Sequence, residues 1–367
     1  MHRYEHPAYN TAHEKERDIL VIVPWLQGGG GQSALIGLLN QLPAERIRLV
    51  VLFVGSRNAG PVLDLVGEHI FLERRRTPIG ILSARRALSR YIRSARSVYS
   101  LMRASHLVLG VGPLGGLRRK RFAATFHQLP SEDSGSMKSA AEDILVRRAI
   151  RAADLVTSPS LRAINELAQR KIATMSRLRY EANVVNATSD GALPARVGHL
   201  QEIRLVFAGR LSDQKGLDRL PEILRNITTP VLLRIVGEGE LSAYAESMQR
   251  DTAAPHRVKY LGHSSDVAGH IDWADAVVLP SRWELNPMVI WEAWARGRPV
   301  ISSDLPVFGD LATAGPIWPC ADTADFVATI GDRLLDHETR SAAFSQGIQA
   351  FSDHRQERRY IAEFLAS

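Results

Sequence analysis

The chain of 367 residues contains a single cysteine, Cys320, and this scarcity excludes an internal disulfide framework. One free thiol suits a reducing compartment, and we interpret Cys320 as a small buried side chain. No apolar run reaches the roughly 18 residues that a membrane-spanning helix needs. The N-terminal segment is polar, unlike a secretory signal. We therefore expect a cytoplasmic protein.

Metal-binding patterns are also missing. Asp-x-Asp does not occur, and no group of histidine, cysteine and acidic residues has the spacing of metal ligands. We therefore expect no metal and no other cofactor. Aromatic residues make up 7% of the chain, and few of them accompany the basic residues of the first half. Without aromatic side chains on which bases could stack, nucleic acid is not an expected partner.

The charge is unevenly distributed. Residues 1–190 contain 28 Lys+Arg and 16 Asp+Glu, a net +12, whereas residues 191–367 contain 18 and 23, a net −5. The basic positions include residues 74–76, several arginines between residues 81 and 102, and residues 118–121. Such an excess of positive charge suits peripheral contact with the anionic inner face of the cell membrane. The alternative is a solvated basic surface without a partner.

Short apolar runs alternate with helical patterns in the first half. The runs interpreted as strands are DILVIVPWL (18–26), IRLVVLFVG (47–55), SHLVLGVG (105–112), AATFHQLP (123–130), ADLVTSPS (153–160) and VVNATSD (184–190). Apolar residues at three- and four-residue spacing predict a helix over 81–102. The opening order of strand, glycine turn, helix and strand predicts a parallel sheet.

The second half restarts the pattern after a Gly/Pro-containing linker at 190–202. Its predicted strands are IRLVFAGRL (203–211), VLLRIVGEG (231–239), VKYLGH (258–263), ADAVVLPS (274–281) and RPVISSD (298–304). The fold class is therefore α/β, with two Rossmann-like doubly wound domains facing across a cleft. We predict domains at 1–190 and 191–349, with a C-terminal helix at about 350–367 rejoining the first. Ligands of such sheets bind beyond the carboxyl ends of the strands.

Two segments of the second half carry chemistry suited to a nucleotide sugar. GRLSDQKGLD contains Arg210 and Lys215, and cations suit a diphosphate. SRWELNPMVIWEAWARG contains Glu284 and Glu292 with seven residues between them. Carboxylates suit sugar hydroxyls because they accept several hydrogen bonds at once.

These segments, together with VGEGE (236–240) and the glycines after VPWLQ, resemble retaining glycosyltransferases of family 4, the group 1 type, which have the GT-B fold. The resemblance implies transfer of a sugar from a UDP- or GDP-sugar to a hydroxyl acceptor, without a metal. The acceptor would be a lipid-linked or growing cell-surface glycan. The first domain would bind the acceptor and the second the nucleotide sugar.

The resemblance also implies residue roles. Arg210 and Lys215 would hold the diphosphate, where negative charge grows as the glycosidic bond breaks. Glu284 and His127 would lie beside the transferred sugar, and Glu292 would accept from the ribose hydroxyls. The residues implied to bind the donor are Gly29, Gly30, Gly237, Asn286, Pro287, Met288, Val289 and Glu292.

Two alternatives remain open. Leu285 follows Glu284 where the family usually has glycine, and only Asn186 and Asp190 match the family's Asn-Gly-Val-Asp pattern. These departures favour a catalytically inactive GT-B domain that acts as a binding partner in a polysaccharide assembly complex. Separately, LGVGPLGG (109–116) satisfies G-x-G-x-x-G, the pattern of a nicotinamide-dependent oxidoreductase. That site needs a helix opening directly after the glycines, whereas Pro113 and the basic LRRKRF indicate a loop.

Overall fold

The computed structural model describes residues 17–26, 30–56, 59–127, 129 and 137–367. Its internal contacts divide the described chain into two compact units. The first runs to Val184 and includes Arg358–Ser367, and the second comprises Val185–Glu357. For comparison, the sequence predicts a boundary after residue 190 and a return of the chain near residue 350.

The first unit is built on a parallel sheet. Its strands are β1 (Ile19–Val23), β2 (Ile47–Phe53), β3 (Glu68–Arg74), β4 (Ser97–Leu101), β5 (Arg121–Thr125), β6 (Leu155–Ser158) and β7 (Leu178–Tyr180). Their order in the seven-stranded sheet is β3-β2-β1-β4-β5-β6-β7. Each neighbouring pair is parallel. β3 and β7 are the two edges, and the sequence did not predict either strand.

Helices cover both faces of this sheet. They are α1 (Gly30–Leu39), α2 (Gly60–Leu63), α3 (Pro78–Ser94), α4 (Arg103–Val111), α5 (Gly115–Arg118), α6 (Met137–Ile150) and α7 (Leu161–Gln169). Side chains of β1 alternate between two cores, with Leu20 and Ile22 in one and Val21 in the other. Because both faces are buried, the central strands are continuous apolar runs rather than alternating ones.

The helix predicted over 81–102 is wrong in its second half. α3 ends at Ser94, and Ser97–Leu101 form strand β4, which pairs with β1 and β5. All five residues of β4 are buried. Val98 and Tyr99 continue the helical spacing by coincidence, and their burial in the centre of the sheet decides in favour of a strand.

The strand predicted at 105–112 is also wrong, because these residues lie in α4 and at its end. Gly110 serves helix packing: a Cβ there would lie 2.0 Å from the carbonyl oxygen of Leu145 in α6. The G-x-G-x-x-G pattern therefore begins inside helix α4 instead of after a strand, which removes the context that a dinucleotide site requires.

The second unit repeats the architecture, as the sequence predicts. Its strands are β8 (Ile203–Ala208), β9 (Val231–Val236), β10 (Arg257–Tyr260), β11 (Ala276–Leu279), β12 (Val300–Ser303) and β13 (Ile317–Cys320). Their order in the six-stranded parallel sheet is β10-β9-β8-β11-β12-β13. β13 was not predicted. Cys320, at its end, is buried, as interpreted from the sequence.

The remaining helices are α8 (Leu220–Arg225), α9 (Ser242–Asp251), α10 (Val267–Trp273), α11 (Met288–Ala295), α12 (Pro306–Ala312), α13 (Thr323–Ala328), α14 (His337–Gln356) and α15 (Tyr360–Ala366). The helix predicted at about 350–367 is thus two helices, interrupted at residues 357–359. None of the helices in the described ranges is both long and apolar enough to cross a bilayer.

The strand predicted at 184–190 is wrong. This segment lies at the start of the second unit and has no regular structure. Side-chain donors replace strand pairing here: the guanidinium of Arg296 donates to the carbonyl oxygens of Thr188 at 3.1 Å, Asp190 at 2.9 Å and Gly191 at 2.7 Å. Three carbonyl oxygens here are therefore satisfied without a neighbouring strand.

Helix α15 returns the chain to the first unit and packs on its sheet. Ile361, Ala362 and Leu365 join the core that contains Val21. At the start of α15, the amide of Ile361 donates to Oε2 of Glu181 at 3.0 Å. Burial raises the pKa of Glu181 to about 7, although this hydrogen bond opposes the shift.

Glu181→Gln should therefore stabilise the protein at alkaline pH. A carboxyl group whose folded pKa is raised favours folding below its unfolded pKa, and this advantage is lost as the pH rises through the folded pKa. The side-chain amide of the variant would keep an acceptor for Ile361 without carrying charge. In urea unfolding, the free energy of unfolding of the variant should exceed that of the wild type by an amount that grows to about 3 kcal/mol between pH 4.5 and pH 8. A constant difference between variant and wild type at every pH would contradict this account.

Candidate functional site

The centre of the second sheet is the point where its strand order reverses. β8 lies beside β11, and the chain leaves these two neighbours in opposite directions across the sheet. The loops that follow their carboxyl ends separate at such a point and leave a crevice for a ligand. Both motifs singled out from the sequence lie in these two loops.

The loop after β8 is shaped by glycine. Gly216 has φ +66°, and a Cβ there would lie 2.0 Å from the carbonyl oxygen of Pro280, which follows β11. Only glycine allows this approach without displacing the backbone. The preceding turn, Asp213–Lys215, is a short 3₁₀ helix, so Lys215 stands at the point where the two loops touch.

Arg282 braces the two loops. Its guanidinium donates to the carboxylate of Asp218 at 2.8 and 2.6 Å and to the carbonyl oxygen of Asp213 at 2.8 Å. Its amide donates to the carbonyl oxygen of Gln214 at 2.8 Å. The side chain of Gln214 in turn donates to the carbonyl oxygen of Trp283 at 3.0 Å. The loops are thus tied together independently of Lys215.

Within this frame, Lys215 and Glu284 form an ion pair. Nζ of Lys215 donates to Oε1 of Glu284 at 2.6 Å, and the hydroxyl of Ser281 donates to the same oxygen at 2.9 Å. The side chain of Lys215 is 16% exposed and that of Glu284 is 4% exposed. The carboxylate is therefore sheltered, while the side chain of Lys215 is partly exposed and its ammonium group has further hydrogens to donate.

Helix α11 begins directly after this pair. Pro287 precedes it as an extended capping residue, and Asn286 accepts a hydrogen bond from Nε1 of Trp291 at 3.1 Å. The side chains of Met288 and Val289 are buried. Only their main-chain amides can therefore serve a ligand. Amides in the first turn of a helix have no partner within the helix, and the helix dipole favours anions there.

Glu292 lies one turn further along α11 and is half-buried. Burial raises the pKa of its carboxyl group. No hydrogen bond or ion pair joins this carboxylate to any residue within the described ranges. A desolvated acceptor without a donor is unfavourable in the free protein, and a ligand hydroxyl would relieve it.

Gly237 ends β9 in close contact with the loop after β8. Its φ is +133°, and a Cβ there would lie 1.9 Å from the carbonyl oxygen of Gly209. Its amide donates to the carbonyl oxygen of Gly262 at 2.7 Å. Three glycines thus end three neighbouring strands. At the carboxyl ends of these strands, the backbones of the glycines therefore have no side chains to cover them.

Arg210 lies in the same loop as Lys215 but is not part of the ion pair. Its side chain is exposed, and it forms no hydrogen bond or ion pair with the part of the chain that the structure describes. The guanidinium is therefore available to an anion. Its role at the diphosphate stays a prediction.

The other predicted site residues belong to the first unit. His127 follows β5, is half-buried, and has its pKa lowered to about 4 by desolvation, so its imidazole is neutral at pH 7. Gly30 is the exposed first residue of α1. Gly29 lies outside the described residues. The roles of all three stay predictions. Over the described ranges, no group of three or more His, Cys, Asp and Glu side chains could hold a metal ion.

Comparison with known families finds a match within the second unit. Residues 202–336 match the family model described as "Glycosyl transferases group 1". This segment is therefore similar to glycosyltransferases of that group. The match includes both loops of the candidate site and the whole of α11.

Curated proteins with similar segments are also named as glycosyltransferases. An uncharacterized glycosyltransferase of Methanocaldococcus jannaschii is 30% identical over 142 residues, which are 36% of this chain and 36% of the relative. A UDP-Gal:alpha-D-GlcNAc-diphosphoundecaprenol alpha-1,3-galactosyltransferase of Escherichia coli is 32% identical over 127 residues, 32% of this chain and 33% of the relative. The chain thus spans about a third of the length of the curated relatives it matches.

Two solved structures resemble nearly the whole chain in fold. HepE of Anabaena in complex with UDP has a TM-score of 0.73 at 16% identity, covering 95% of this chain and 97% of that one. WaaG, a glycosyltransferase involved in lipopolysaccharide biosynthesis, has a TM-score of 0.67 at 13% identity, covering 95% and 98%. At such identities the likeness shows the fold, and it confirms the predicted class of two Rossmann-like domains of the GT-B type.

Sequence reasoning missed the residues that hold the site together. Arg282, Gln214 and Ser281 were not singled out, although each contacts a predicted residue or its loop. Ser281 precedes Glu284 by three positions, a spacing that could have suggested the contact. The partners of Arg282 lie 64 and 69 positions earlier, and no local pattern connects them.

Glu292→Gln should make the free protein more stable at alkaline pH. The raised pKa of Glu292 means that its ionised form opposes folding, so the penalty is absent at low pH and grows as the pH rises through the folded pKa. Melting temperatures should therefore rise for this variant at pH 8 and match the wild type near pH 4. Glu222→Gln, at an exposed position on α8, is the control. It should leave the melting temperature unchanged at both pH values. A stability loss for Glu292→Gln at pH 8 would contradict the account.

Proposed function

We propose that this protein is a retaining glycosyltransferase that moves a sugar from a UDP- or GDP-sugar to a hydroxyl group of a lipid-linked or growing cell-surface glycan. The observation that carries the proposal is the ion pair of Lys215 and Glu284, 2.6 Å apart, beside the first turn of α11. It combines a cation for the departing diphosphate, a carboxylate for the sugar and main-chain amides for phosphate or sugar oxygens.

Catalysis would act on the leaving group. As the glycosidic bond breaks, the bonding electron pair departs with the β-phosphate, whose negative charge grows. Lys215 and Arg210 stabilise that charge more in the transition state than in the ground state. The leaving phosphate takes the proton of the acceptor hydroxyl on the same face, which gives retention. Glu284 and a neutral His127 orient the sugar.

The nucleotide would be held beside the diphosphate. Glu292 accepts hydrogen bonds from the ribose hydroxyls, which gives its carboxylate the donors it lacks. The amides of Met288 and Val289, and the close backbone at Gly237, approach the phosphates and the sugar. The contact of Gly29 and Gly30 with the donor is proposed from the sequence resemblance alone. Charge neutralisation by these groups makes the reaction independent of a metal and of any other cofactor.

The names of similar proteins support the donor and acceptor classes. HepE has been solved with UDP and with UDP-glucose, which favours a UDP-sugar. The relative from Escherichia coli acts on a diphosphoundecaprenol-linked sugar, and LpsE of Rhizobium meliloti is a lipopolysaccharide core biosynthesis glycosyltransferase. A cytoplasmic protein with peripheral membrane contact through its basic first half would meet such acceptors.

A thermal-shift screen of UDP, GDP and their sugars tests the donor class. A ligand that binds only the folded state raises the melting temperature by mass action. At a concentration one hundred times its Kd, it increases the free energy of unfolding by about 2.7 kcal/mol. We expect a rise with UDP or GDP and with one of their sugars, and no rise with NAD. The absence of any shift with all nucleotides would contradict the proposal.

Lys215→Met should lower turnover of the nucleotide sugar by about 10²- to 10³-fold, because one preorganised charge at the transition state is lost. Lys259→Met, at an exposed position of β10, is the control and should retain activity. Because the single variant leaves Glu284 without its cation, the double variant Lys215→Met, Glu284→Gln distinguishes misfolding from lost chemistry. It should melt like the wild type and remain inactive. Full turnover by Lys215→Met would contradict this role, and a wild type without any turnover would favour the inactive binding domain.

A further inference from the structure

A groove in the first unit contributes nothing to the proposed transfer reaction. It has a volume of about 910 Å³ and lies between the edge strand β3 and helix α3. Its floor is apolar and consists of Ile70, Leu72, Ala87 and Tyr91. Its rim carries four arginines, at positions 48, 74, 86 and 90. None of these residues belongs to the candidate site.

Among the described residues, a carboxylate neutralises only one of the four arginines. Arg48 pairs with Glu68 at 2.5 Å. Arg74 and Arg86 are exposed and form no ion pair or hydrogen bond through their side chains with the described ranges of the chain. The guanidinium of Arg90 contacts the hydroxyl and the ring of Tyr91, neither of which carries charge at neutral pH.

The remaining acid of the rim is Glu73. Three arginines without a carboxylate partner, at 74, 86 and 90, therefore face one glutamate. The local balance of +2 favours an anion in the groove. Arginine suits phosphate in particular, because its planar fork of donors matches two oxygens at once.

Two exposed apolar residues lie at the start of α3, the helix that lines the groove. Ile79 is 83% exposed and Leu82 is 40% exposed. Leu82 lies three residues after Ile79 and four before Arg86, so these residues share one face of the helix. An exposed apolar end adjoining a basic groove favours a ligand with a hydrocarbon part and a phosphate part.

We propose that the groove of β3 and α3 binds the phosphate headgroup of an anionic phospholipid in a bilayer, with Ile79 and Leu82 entering the apolar boundary. This inference deepens the membrane contact of the proposed function and assigns it to particular residues. Arg74 and Arg86 bind the phosphate, because their charges are available and their side chains border the groove. The apolar floor accepts the first part of the lipid that follows the headgroup.

Vesicle co-sedimentation of the full chain tests the proposal, with phosphatidylcholine vesicles compared with vesicles that also contain phosphatidylglycerol. The wild type should bind only the second kind. Arg74→Glu with Arg86→Glu should weaken that binding roughly tenfold or more, since each arginine near a charged surface contributes measurably. Ile79→Ser with Leu82→Ser should also weaken it, whereas soluble glycerol phosphate should not displace the bilayer.

The matched control is Arg225→Glu with Arg250→Glu, which makes the same change in net charge at exposed positions of the second unit. An equal loss of binding in this control would overturn the proposal in favour of a nonspecific charge effect. Unchanged binding of Ile79→Ser with Leu82→Ser would overturn it in favour of a soluble phosphate ligand. Because the vesicle assay contains no sugar donor, a failure to bind vesicles leaves the glycosyltransferase proposal intact. Melting curves verify that each variant is folded.

Discussion

The ion pair between Lys215 and Glu284 joins the loop after β8 to the loop after β11, at the point where the second sheet reverses its strand order. Glu284 would be unfavourable alone in this place. Its carboxylate is almost fully sheltered, and a buried charge without a counter-ion is costly. The ammonium group of Lys215 neutralises it and has further hydrogens to donate. One contact therefore positions both the cation and the acid that the proposed chemistry needs.

That contact depends on close approaches between backbone segments, which only glycine allows because a Cβ would clash. Gly216 lets the first loop lie against Pro280, and Gly237 lets β9 end against Gly209. Arg282 then fixes the two loops through four hydrogen bonds within the second unit. The rigid frame leaves the charged groups preorganised, which is the condition under which fixed charges stabilise a transition state most. Glu292 lies desolvated on α11, and burial raises the pKa of its carboxyl group.

The sequence predicted the parts that depend on short-range pattern. The α/β class, the repeat of the architecture and most strands of the second unit follow from apolar runs separated by glycine turns. The sequence predicted Lys215 and Glu284 as site residues. Their contact joins positions 69 residues apart, so it could be found only from the structure. Two of the errors, at residues 97–101 and 105–112, have a common cause. Val98, Tyr99 and the 105–112 run are apolar in a pattern that fits either a helix or a strand, and burial in the centre of a sheet, or packing of Gly110 on α6, decides between them.

The most direct test of the central claim is a crystal structure of the protein with UDP bound. The account predicts that Nζ of Lys215 lies within about 3 Å of a diphosphate oxygen while Glu284 still accepts from it, and that the ribose hydroxyls donate to Glu292. A diphosphate bound elsewhere, with Lys215 still directed only at Glu284 and Glu292 still without a donor, would contradict it.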